Sequence, residues 1–172
     1  MHKIILSLIT ALGLLTNAQA QLGHTLAECK DHYGAPTKVE RNSAAPGRTK
    51  YIFNGDSGYQ LGIFIMDGKV SRVVLVKPNE AEFTADEAAE FFKQQAPDAT
   101  WGDPYNVDSG DVVVEGSIDG EVAVYGEILD ESKVAAIWTV EDDQAVAKAD
   151  KENKHLVKPQ KNGSTKNTDE TN

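Results

Sequence analysis

Cysteine is all but missing from this chain. Cys29 stands alone, which excludes an intramolecular disulfide and leaves packing to hold the fold together. Long apolar runs are missing as well: the segment from Ile4 to Leu15 is shorter than the roughly 18 residues of a membrane-crossing helix, and nothing later matches even that. Basic residues nearly vanish from the middle of the sequence. Residues 80–143 hold 2 Lys/Arg against 18 Asp/Glu, whereas residues 21–79 hold 8 against 5 and residues 144–172 hold 6 against 4. This balance disfavours nucleic-acid binding, because neutralising phosphates needs a basic footprint.

What the N-terminus does contain is a leader. MHKIILSLITALGLLTNAQA has one lysine, the short apolar run and the small-residue pattern Ala18-Gln19-Ala20, the arrangement of a secretory signal peptide cleaved before Gln21. The expected mature protein is secreted or periplasmic. Removing residues 1–20 from the 172 leaves 152, the size of one domain. Leu26-Ala27-Glu28-Cys29 loosely resembles a lipoprotein acylation site. Glu28, however, stands where a small residue is required, and polar residues separate Cys29 from the apolar run, so an unmodified Cys29 is expected.

The same order of signals occurs twice. Thr25-Leu-Ala-Glu28 and Thr84-Ala-Asp-Glu87 are both capping-box signatures for a helix start. The first predicted helix carries Leu26, Cys29 and Tyr33 on one stripe and stops at Gly34. The second carries Phe91 and Phe92, with Phe83 stapled to its first turn, and stops at Pro97. Each is followed by an irregular stretch and three β-like runs: 49–54, 59–66 and 69–77, then 111–117, 121–128 and 133–140. The expected fold class is α+β, two αβββ units (21–79 and 80–143) forming one domain over 21–143, an antiparallel sheet with both helices on one face. A short helix over about 143–156 and a disordered tail should complete the chain.

Turn chemistry predicts register. A two-residue turn at Asp67-Gly68 pairs Ile65 with Val70, Ile63 with Arg72 and Leu61 with Val74, giving one face that is apolar apart from Arg72. In the second half a two-residue turn at Asp119-Gly120 would put Val112 and Val114 on the face of Tyr125 and Glu127. A three-residue loop Ile118-Asp119-Gly120 is predicted instead, with Val112, Val114, Val122 and Val124 facing the core. Glu115, Glu121, Tyr125 and Glu127 then face outward as an acidic strip with an aromatic anchor, suited to a basic protein partner.

No motif identifies a reaction. Gly55-Asp56-Ser57-Gly58 has the setting of a serine-protease nucleophile, yet it lies between two β runs, continues Tyr-Gln, and has only His24, His32 and His155 to draw a base from after the leader, so it reads as a hairpin turn. Cys29 and His32 lie one helical turn apart, but two such residues do not close a zinc site, and a lone cysteine on an apolar stripe reads as core. Asn106, Asp108 and Asp111 fail the spacing of a calcium loop. Trp101 and Tyr105 could stack on a sugar or peptide, or pin their loop to the core. No catalytic residue, cofactor or metal is expected.

The stretch LGHTLAECKDHYGAPTKV, with Gly23, Thr25, Glu28, Gly34 and Pro36, resembles the start of the small outer-membrane-assembly lipoproteins. The duplicated helix-plus-sheet units of an exported chain resemble the β-lactamase inhibitor protein architecture. Both resemblances imply a two-layer module that works by binding. A non-enzymatic binding module is therefore the expectation, with an envelope-assembly accessory and a small secreted hydrolase using acids around Trp101 as alternatives.

Overall fold

The computed structural model describes residues 22–41, 44–55, 58–107, 110–129 and 133–156. Residues 1–20, read above as a leader, the pair Asp56-Ser57, Asp108 and the residues from 157 onward lie outside the described residues. The fold is α+β, with three α-helices and one nine-stranded antiparallel sheet among the described residues.

Both capping boxes form. Helix α1 (Leu26–Tyr33) begins where Glu28 N–H donates to Thr25 Oγ1 and Thr25 N–H donates to Glu28 Oε2 at 2.7 Å, and it stops at Gly34 with φ 77°. Helix α2 (Ala85–Gln95) repeats the pattern with Thr84 and Glu87, and Phe83 packs with Ala88 in the core beneath it. The strands are β1 (Lys38–Arg41), β2 (Thr49–Asn54), β3 (Gln60–Met66), β4 (Lys69–Val76), β5 (Thr100–Trp101), β6 (Tyr105–Asn106), β7 (Val112–Ile118), β8 (Glu121–Leu129) and β9 (Val134–Thr139). Strands β1, β5 and β6 fall in stretches that sequence reading leaves irregular. Their order in the sheet is β1-β2-β3-β4-β9-β8-β7-β5, with β6 also on β7, so the two halves run inward from opposite edges and join at β4 and β9.

Two predicted registers need correction. The turn at Asp67-Gly68 has two residues and positive φ at both, and Ile65 does pair with Val70. A bulge then inserts Ser71, so Phe64 pairs with Arg72 and Ile63 with Val73. The extra residue lets Val70, Val73 and Leu75 all reach the core and sends Arg72 to the other face, which removes the misfit charge from the apolar side. At Asp119-Gly120 the loop also has two residues, since Ile118 pairs with Glu121, and the extra residue is Ala123 inside β8. Val112, Val114 and Val124 keep their predicted face. Val122 does not: it is 40% exposed.

The inner face of the sheet is covered by α1 and α2, and one core runs across both halves from Cys29, Phe53 and Ile63 to Phe91, Phe92 and Ile137. The third helix, α3 (Val140–Leu156), starts earlier than predicted and lies against the outer face, over β4, β8 and β9. Thr139 accepts a hydrogen bond from the Asp142 N–H and caps it. The Asp142 carboxylate is fully buried; it accepts hydrogen bonds from Arg72 Nε at 2.8 Å and Ser71 Oγ at 2.9 Å and forms an ion pair with Arg48, whose Nε lies 2.9 Å away.

A candidate binding cleft

On the inner face, at the edge of the second half, the sheet and α2 do not close completely. Helical spacing places Ala85, Ala89 and Lys93 on one stripe and Ala88 and Phe92 on the next, and alanines are too short to fill the space above β7 and β8. Strand alternation aims Val112, Val114 and Ile128 at the same gap. Trp101, Gly102 and Pro104 form the third wall. The result is a cleft of about 190 Å³ with an almost wholly apolar lining.

Two strand glycines let its aromatic walls, Phe92 and Trp101, settle onto the sheet. A Cβ at Gly126 would lie 2.8 Å from the Phe92 ring, and one at Gly116 would lie 3.1 Å from Trp101 and 2.5 Å from Val124. Both aromatics therefore rest directly on backbone, with ring centroids 5.6 Å apart. Trp101 Nε1 is buried without an acceptor among the described residues. Trp101 is thus wall rather than free stacking platform, whereas Tyr105 is 43% exposed and donates its hydroxyl to Glu115 at 3.0 Å, a bond that raises its pKa.

Asp86 and Glu90 follow the lining residues Ala85 and Ala89 along α2, and Asp103 lies between Gly102 and Pro104 in the chain; all three are exposed, and none of them lines the cleft. Lys93 is the cation at this rim.

The predicted acidic strip lies elsewhere, on the outer face. Glu115 pairs with Tyr125, and Glu127 pairs with Val113 two residues further along, so Glu115, Tyr125 and Glu127 share a side. The extra residue Ala123 puts Glu121 out of step with them, at the hairpin tip opposite Ile118. Tyr125 stacks on Trp138, centroids 6.0 Å apart, in a row that crosses seven strands: Glu40, Lys50, Phe64, Arg72, Trp138, Tyr125, Glu115. Burial raises the Glu127 pKa, Asp111 and Asp143 add to the effect, and Arg72 opposes it.

The remaining candidates separate. Cys29 is buried in the core, and desolvation, with Glu28 next in weight, pushes its thiol up to about 11, which removes the thiolate a nucleophile would need. His32 packs edge-on against Tyr33. Among the described residues no three His, Cys, Asp or Glu side chains gather as metal ligands, and no helix is long and apolar enough to cross a membrane. Ser57 is outside the described residues. Sequence reading missed the cleft, although Gly116 and Gly126 inside strong strands were a signal that a large ring approaches the backbone.

No family model matches the chain, and no curated protein matches it. Among solved structures it is similar to a cysteine-rich secretory protein from Staphylococcus aureus subsp. aureus Mu50, at TM-score 0.40 and 15% identity over 70% of this chain and 44% of that one. It is also similar to an extracellular SCP-domain protein from Bacillus anthracis strain Ames, at TM-score 0.43 and 12% identity over 74% and 47%. The chain spans less than half of either protein, and likeness this loose carries no argument about fold or function.

Proposed function

We propose that the protein is an exported, non-catalytic binding module whose partner inserts one apolar group into the cleft between α2 and β7–β8. The observation that carries this reading is the size and lining of the cleft. Pockets for metabolites and cofactors run to about 300–1,000 Å³, while an apolar cavity of about 150 Å³ holds a single benzene ring. At about 190 Å³ this cleft matches one aromatic or branched aliphatic side chain. Such a pocket is the usual seat of a hot-spot residue at a protein interface. The leader read in residues 1–20 supports export.

The test uses N-acetylphenylalaninamide as the probe and methyl NMR as the readout. Burying one phenyl ring is worth roughly 2–3 kcal/mol, so a dissociation constant on the order of 10 mM is expected. Saturable shifts should appear at Val112, Val114 and Ile128. They should be lost in Ala89→Phe, which fills the cleft from its exposed rim. Absence of saturable shifts in the wild type, or their persistence in the filled variant, would refute the reading.

A further inference from the structure

We infer that the group entering the cleft is the apolar side chain of another protein's C-terminal residue, with the terminal carboxylate held by Lys93. This rests on the reading of the cleft given above and adds the partner's chemistry to it. The side chains that line the cleft carry two polar groups in all, the Lys93 ammonium and the Trp101 indole N–H. Both are donors without acceptor capacity, so no lining side chain can receive a hydrogen bond from a ligand. Lys93 is also the one charged residue of the lining. It stands exposed in the last turn of α2, and its ammonium makes no ion pair among the described residues. The polar complement of this cleft is therefore an anion.

Size and charge then select the partner together. One apolar group fills about 190 Å³, so the anion that meets Lys93 must be attached close to that group. An acidic residue within the partner's chain fits poorly. In an extended segment, side chains next to one another point to opposite faces, and the next one on the same face lies about 7 Å along. The carboxylate of a chain end is different, because it sits on the same Cα as the inserted side chain. A terminal phenylalanine or leucine thus brings one apolar group and one anion in the smallest unit. A basic segment, by contrast, would set its cations against Lys93 and find no carboxylate in the lining.

Three N-acetylated peptides test this in the full mature chain: Gly-Gly-Phe with a free carboxylate, Gly-Gly-Phe amide, and Gly-Gly-Phe-Asp-Gly amide, which carries its single negative charge inside the segment. They are titrated at about 0.15 M NaCl, where exposed charges further than about 8 Å away are largely screened, with methyl shifts at Val112, Val114 and Ile128 as the readout. The free carboxylate should bind about fivefold more tightly than the amide, the upper end for an exposed ion pair. The Asp peptide should match the amide. In Lys93→Gln the free carboxylate should lose its advantage, and in Lys93→Arg it should keep it. If the amide binds but the free carboxylate is no tighter, or Lys93→Gln retains the advantage, or the Asp peptide gains as much as the chain end, the partner inference fails and the cleft reading stands. If no Phe peptide reaches the cleft, both fail.

Discussion

Glu127 is a half-buried carboxylate within electrostatic reach of two others, Asp111 and Asp143, and burial is the larger reason that its pKa is raised. Its neutral form is the one the fold favours. The stability it contributes is complete below the unfolded value near 4.5 and is lost as pH rises through the raised folded value. Glu127→Gln, neutral at every pH, should therefore melt above the wild type at pH 7, with the difference closing below about pH 4. A melting series from pH 3 to 8 checks this, and a variant that melts lower at pH 7 contradicts it. At this scale the sequence was partly legible. Glu115, Tyr125 and Glu127 came out on one face because moving the extra residue from the turn into β8 leaves every residue beyond Ala123 in phase. Only Glu121 and Val122, on the turn side of it, were reversed. The small residues that shape the cleft were not legible, because Ala85, Ala88 and Ala89 show no purpose until Trp101 and Pro104 are seen opposite them.

The three helices share one device, a threonine followed three positions later by an acid. In α1 and α2 the acid reaches back to the cap, and both were predicted from that spacing. In α3 the spacing recurs as Thr139-Val-Glu-Asp142, but Asp142 turns to Arg48 and Arg72, whose side chains arrive from the loop before β2 and from the bulge in β4. No local pattern announces a contact 70 residues away, and that is why the helix was placed too late and without its anchor. The misfit of Arg72 on an otherwise apolar face was the one warning of the bulge. Asp142→Asn keeps the shape and leaves two guanidinium groups facing a neutral amide. A loss of about 3–5 kcal/mol is expected in chemical denaturation, as for a buried ion pair broken on one side. A loss under about 1 kcal/mol would mean that the site is solvated and that α3 is not fastened by it.

For the whole molecule, the absence of disulfides is met by one sheet and one core that run through both halves. The N-terminal segment belongs to that structure. Gly23 N–H donates to Val70 O, Val70 N–H donates to His24 O, and Leu22 N–H donates to Gln95 O, so residues 22–24 tie β4 to the end of α2. Processing at Ala20 would retain these bonds, whereas cleavage before Cys29 would remove them together with the Thr25 cap and would demand that a buried thiol be acylated. Intact mass of the exported protein should correspond to a chain starting at Gln21 with an unmodified Cys29. A retained leader, or an acylated chain starting at Cys29, would contradict this account of export.

The central claim is that the α2 to β7–β8 cleft accepts one apolar side chain, and intermolecular NOEs test it most directly. With N-acetylphenylalaninamide near saturation, cross-peaks are expected from the probe's phenyl protons to the methyl groups of Val112, Val114 and Ile128 and to the Trp101 ring, and Ala89→Phe should abolish them. Cross-peaks confined to the outer face, around Tyr125 and Val122, would place the binding surface on the other side of the sheet and contradict the claim.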